Sequence, residues 1–181
     1  MLPTFAAVLA LDPAAVALDM PMGLLLLPGR RACDVEARRR LGPRRSSVFP
    51  APSRAALAAG SFADAPGLSL QAWHLIPKVR EVDDLLTPAL QAIVVEAHPE
   101  LAFAVLAGAP MAFPKRTPEG RAERLAALGQ VAPAVPAGAR ADDVLDALVL
   151  HRTALRWQAG EAIVLGDGTV DQRGLVLRIA A

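Results

Sequence analysis

Three features predict a single α/β domain over residues 1–181, with helices on both faces of a small mixed sheet in a three-layer arrangement. Short apolar runs such as "AVAL" and "IVVE" read as strands. Between them lie segments with helical spacing, bounded by Ser, Thr and Asp caps, first-turn prolines and trailing glycines. A chain of 181 residues that is 54% hydrophobic also has the material for one core.

The elements follow in order. Residues 3–11 read as the tail of a helix or a loop, and "AVALDM", 15–20, as a strand that Pro21 ends, with Asp19 at its C-terminal end. "CDVEARRRLG" reads as a short helix with Asp34 as N-cap and Gly42 just past its end. A proline-punctuated loop follows, and the capping signal at Ser53 predicts a second short helix. Leu68 to Leu86 reads as helix broken or kinked at Pro77, and Ile93 to Glu96 as a buried strand. After Pro99, "ELAFAVLAG" predicts a helix that ends at Gly108. Thr117, Pro118 and Gly129 bracket another with cap, proline and glycine in the expected order. "VAPAVPAGA" is a spacer loop. Ala141 to about Gly160 is the longest helix, its apolar side expected from Val144, Leu145, Leu148 and Leu155. The last residues read as two short strands around the Gly- and Asp-rich "LGDGTVDQ", which lacks the spacing of a calcium-binding loop.

Charge and cysteine content bound the function. Nineteen basic against eighteen acidic residues leave +1, so there is no polycationic signature for nucleic acid and no acidic tail. The single Cys33 excludes an intrachain disulfide framework, and three dispersed histidines argue against structural zinc. The apolar N-terminal stretch has its arginines after the apolar run, and Asp12, Pro13 and Asp19 interrupt it, so neither a secretory signal nor a membrane span is expected. A reducing cytoplasm suits this composition best.

Asp19 and Glu96 share one placement, each at the end of a short apolar strand beside a proline, where sites assemble in open α/β sheets. "ADDVLDAL" adds Asp142, Asp143 and Asp146, spaced so that Asp146 shares a helix face with either of the others. Carboxylates from two strands and one helix could hold Mg²⁺ or Mn²⁺, and such ions hydrolyse phosphodiesters. The same residues also fit structural duties: Asp142 or Asp143 as an N-cap, Asp19 as the cap of a turn, Glu96 as the partner of an arginine.

Seven arginines between Arg30 and Arg45, against Asp34 and Glu36, form a local patch of net charge +5 that could hold phosphates. Arg38, Arg39 and Arg40 read as a solvated face, and Arg44 and Arg45 as presented to a ligand. Lys115 and Arg116 precede a helix N-terminus, with Arg121 one turn in. With five phenylalanines, two tryptophans and no tyrosine, a single-strand stacking platform is not expected. Phe49 reads as core, and His98 as structural or as a partner of Glu96.

Taken together, "LDMPMGL", "RRACDVEARRRLGPRRSSVFPAPSRAAL", "QAWHLIPKVREVD", "VVEAHPELAF", "KRTPEGRAERLAAL" and "DDVLDAL" resemble the DUF429 family of predicted RNase H-like nucleases. The resemblance implies an RNase H-like fold and a nuclease that acts on nucleic acid with Mg²⁺ or Mn²⁺. It places Asp19, Glu96, Asp143 and Asp146 as catalytic metal ligands, and Arg44, Arg45, Lys78, Lys115 and Arg121 as substrate-binding residues. The family's first strand, a G-V-D-G segment bearing an aspartate, has no counterpart in these residues. The expectation is therefore a fold lacking its first strands, with a free sheet edge that invites homodimerisation. Two other readings stand beside the nuclease: a catalytically inactive binding or assembly protein, and an enzyme acting on a small phosphorylated molecule.

Overall fold

The computed structural model describes residues 2–181. It contains the helices α1 (Phe5–Leu9), α2 (Ala32–Leu41), α3 (Arg54–Ala58), α4 (Leu70–Trp73), α5 (Ile76–Leu85), α6 (Pro99–Ala107), α7 (Pro118–Leu128) and α8 (Ala141–Ala159). The strands are β1 (Val16–Leu18), β2 (Val94–Glu96), β3 (Val164–Leu165) and β4 (Ile179–Ala180). The fold is mixed α/β, as expected, with short strands and far more helix than strand.

β1 and β2 run parallel, with Val16 opposite Val94 and Leu18 opposite Glu96. β3 and β4 are antiparallel, and a bridge between Ala97 and Ala180 joins the two pairs. One cluster packs Val16 and Val94 with Phe5 of α1 and Val82 of α5. α8 packs along β1, and α2 packs against β3 and β4. Glu96 and Asp19 therefore emerge side by side at the carboxyl ends of neighbouring parallel strands, between helices from both ends of the chain.

Local chemistry explains most boundaries. Thr117 and Ser53 accept amide hydrogen bonds from Gly120 and Ala56, so both are N-caps as expected. Pro77 and Pro99 sit in first turns, where the missing N–H costs nothing. Gly108, Gly129 and Gly160 end α6, α7 and α8 in the left-handed region. Three expectations are corrected. Asp34 lies inside the first turn of α2 and does not cap it, because its carboxylate reaches back to Arg31, the residue at the cap position. Neither Asp142 nor Asp143 caps α8, whose N-cap is Arg140. The buried side of α8 runs through Leu145, Val149, Thr153 and Ala154, while Leu155 is exposed. Among the described residues, no helix is long and apolar enough to cross a membrane.

Candidate active site

The strand ends open into a cleft of about 640 Å³, within the usual range for small-molecule sites. Asp19, Glu96, Asp146, Lys115 and Arg44 line it. Asp143, Arg45, Lys78 and Arg121 do not, and all four are exposed. Lys78 is engaged elsewhere, donating to Glu81 and to the Pro3 carbonyl. Three of the four expected carboxylates and two of the five expected basic residues thus meet in one place.

The carboxylates differ in what already holds them. Glu96 is buried, and its two oxygens accept from the Arg31 guanidinium at 2.6 and 2.7 Å, with a further bond from the Met22 amide at 2.7 Å. Arg31 donates to Asp34 as well, through Nε at 2.9 Å and Nη2 at 2.5 Å, and Nη1 also reaches the Met22 carbonyl. Burial pushes the Glu96 carboxyl up while Arg31 pulls it back, and the same pairing holds the guanidinium still more firmly protonated. Buried beside this pair, the Cys33 thiol is pushed up to about 12 by burial. The arginine partner anticipated for Glu96 is therefore Arg31, 65 residues away in the chain.

Asp19 has the opposite environment. Solvent reaches its side chain, yet the carboxyl sits in a concave floor surrounded by protein, and burial raises its pKa above the ordinary 3.8. Beside it, His98 and Lys115 lower its pKa and Asp146 raises it. Among the described residues, none donates a hydrogen bond to Asp19. Asp146 is partly buried and bonded to Lys115 Nζ at 2.5 Å; burial nevertheless leaves its pKa raised. His98 is fixed by a 2.9 Å contact between Nε2 and the Ser47 carbonyl, which puts the proton on Nε2, and Nδ1 is left without a partner.

Lys115 is aimed by a tightly held loop. The Ala112 and Phe113 amides donate to Glu123, and Arg44 donates to the Met111 and Ala112 carbonyls. Gly120 of α7 lies so close to the loop that a Cβ there would stand 2.0 Å from the Pro114 carbonyl oxygen. Arg124, almost fully buried, completes the support, its Nη1 donating to the Phe113 carbonyl and its Nη2 to both Glu100 oxygens.

Two other parts of the site depart from expectation. Of the seven arginines at 30–45, four bond within the protein: Arg31 to Glu96, Arg38 to the Val48 carbonyl, Arg40 to Glu36 and Arg44 to Met111. Phe49 is not core: it is 54% exposed and lines the cleft. Neither was legible from spacing, although Phe49's place among "SVFPAP" prolines signalled a loop that turns side chains outward.

The donor set decides what metal could fit. Among the described residues, no group of three or more His, Cys, Asp or Glu side chains is disposed to hold an ion. The four-carboxylate centre does not fit, since Glu96 is spent on Arg31 and Asp143 lies outside the cleft. Asp19 and Asp146 both line the cleft and sense each other's charge, and a magnesium-like ion needs only one or two protein carboxylates, keeping water or substrate phosphate in its remaining positions.

No curated protein and no solved structure matches the chain. A family model described as "Protein of unknown function (DUF429)" matches residues 1–170, and over that span the chain belongs to the DUF429 family.

Proposed function

We propose that the protein is a divalent-metal-dependent phosphodiester hydrolase acting on nucleic acid, built on an RNase H-like arrangement. The observation that carries this reading is Asp19: a carboxylate at the end of a parallel strand, in a cleft, beside Asp146, with no donor bonded to it. Like charges so placed are relieved by a cation.

Asp19 and Asp146 would hold Mg²⁺ or Mn²⁺, and the bound ion would polarise a phosphoryl oxygen and acidify a water. The chain's own residues supply the remainder. Lys115 neutralises Asp146 in the free protein, and its Nζ, at the lining of the cleft, is a donor for a phosphate oxygen once an ion takes over Asp146. His98, with its proton fixed on Nε2 by Ser47, places a polarisable ring beside Asp19. Glu96 takes no direct part; paired with Arg31, it fixes the end of β2 against the Met22 backbone.

The test is Mn²⁺-dependent hydrolysis of bis(p-nitrophenyl) phosphate. Asp19→Asn and Asp146→Asn should each lower the rate about a hundredfold or more. Activity equal to wild type in both variants would sink the proposal.

A second reading, a binding protein with no chemistry, draws on the pairing of Glu96 with Arg31 and of Asp146 with Lys115, which leaves both carboxylates neutralised from within. It predicts phosphate binding without turnover at any Mn²⁺ concentration. We also propose pairing of two chains through the edge of β1, whose strand partner is β2. Light scattering at micromolar concentration should then give a dimer mass, and a monomer would refute it.

A further inference from the structure

We infer that the cleft takes a single nucleotide unit, a free nucleotide or an unpaired strand end, with its base on an apolar wall and its phosphate at Asp19, Lys115 and Asp146. The inference rests on the hydrolase reading for what happens at the phosphate, and on different residues for the base.

The wall comes from two segments that the carboxylate chemistry does not use. Val48 to Pro52 supplies one side, and Ala72, Leu75 and Val79, on α4, α5 and the turn between them, supply the other. Phe49 and Leu75 are 54% and 46% exposed, large apolar side chains kept in water at the lining of a cavity. Exposed apolar surface inside a concavity, beside a charged cluster, marks a ligand that is apolar at one end and anionic at the other. An aromatic ring at such a wall stacks any of the four bases.

The basic residues disfavour a duplex. A protein that tracks a double helix must neutralise several phosphates in succession, using free Lys and Arg along a surface. Here Arg31, Arg38, Arg40 and Arg44 spend donors on the protein itself, and the exposed Arg30, Arg39, Arg45 and Arg121 lie outside the cleft. The cation presented within the cleft beside the carboxylates is Lys115, and Arg116 lies next to it, 75% exposed at its side chain. That is provision for one or two phosphates.

The test compares AMP, ribose 5-phosphate and a short DNA duplex by calorimetry on the intact protein, with and without Mg²⁺. AMP should bind more tightly than ribose 5-phosphate by about tenfold, and Phe49→Ala or Leu75→Ser should erase that advantage while leaving ribose 5-phosphate unchanged. Both positions are exposed, and circular dichroism of each variant serves as the check that it folds. Equal binding of AMP and ribose 5-phosphate, or AMP affinity indifferent to both substitutions, would overturn the inference. So would duplex binding tighter than AMP with a steep salt dependence. If a duplex is hydrolysed in an Asp19-dependent manner, the hydrolase stands and the nucleotide pocket falls. If AMP binds through Phe49 and nothing is hydrolysed, the pocket stands and the hydrolase falls.

Discussion

Glu96 and Asp19 occupy nearly the same place. Leu18 pairs with Glu96 across the parallel strands, so Asp19 follows one residue beyond that register. Both follow apolar runs, both stand near a proline, and both face the cleft. Glu96 is closed: its oxygens accept three hydrogen bonds, and its charge is matched by a guanidinium that cannot deprotonate in proteins. Asp19 is open, with charges around it and no bond to any of them. A carboxylate at a strand end is thus a site only when the fold leaves it without a partner; where an arginine is built in, the same position holds the fold together.

The largest expected effect is on the closed side. Arg31→Ala leaves Glu96 and Asp34 buried without their cation, and should cost about 3–5 kcal/mol in urea denaturation. A cost under about 1 kcal/mol, as for surface pairs, would erase the distinction. Gly120→Ala comes next. Its new methyl meets the Pro114 carbonyl, so the loop carrying Lys115 must move; a loss of about 1–3 kcal/mol and weaker phosphate binding are expected. Retained phosphate affinity would show that Lys115 does not depend on that contact.

Acid titration sharpens the comparison by sign. Burial pushes the Asp171 carboxyl up, but Arg54 and the amides of Leu24, Leu175 and Arg173 outweigh it and hold its pKa below the ordinary 3.8. The stability it contributes is complete above that value and is lost as the pH falls through the folded pKa. Asp19, with its pKa raised by burial and by Asp146 against His98 and Lys115, has the reverse dependence. Its contribution is complete below 3.8 and is lost as the pH rises through the folded pKa. Asp171→Asn should therefore flatten the acid limb of the stability profile. Asp19→Asn should gain stability at neutral pH and lose that gain in acid. The smallest effect is at Cys33, whose buried thiol, pushed up to about 12, should label with maleimide only as the protein unfolds. Rapid labelling of native protein would show that the Arg31 network is looser than its hydrogen bonds indicate.

Much of the fold was legible because its signals are local. Caps at Ser53 and Thr117, the first-turn proline at 118, and glycines at 108, 129 and 160 act on nearby residues and appear where expected, whereas Pro77, expected to break or kink a longer helix, opens α5 in its first turn. Spacing failed where it left two faces open. Asp142 and Asp143, four and three residues before Asp146, can both share its helix face by spacing, but one residue of helix rotation buries Asp142 and exposes Asp143. Partners failed for a different reason. Nothing local joins Arg31 to Glu96 or Lys115 to Asp146, since only the parallel pairing of β1 with β2 and the packing of α7 and α8 bring them together. The arginine patch was overestimated because counting charges takes no account of the carbonyls and carboxylates that consume them.

The most direct measurement is Mn²⁺ calorimetry on wild type and Asp19→Asn, each with its Tm recorded. The open carboxylate predicts that Asp19→Asn loses Mn²⁺ affinity by at least about 10–100-fold while its Tm stays level or rises. Identical Mn²⁺ binding in the two proteins, or a variant that unfolds as readily as Arg31→Ala, would show that Asp19 is as structural as Glu96.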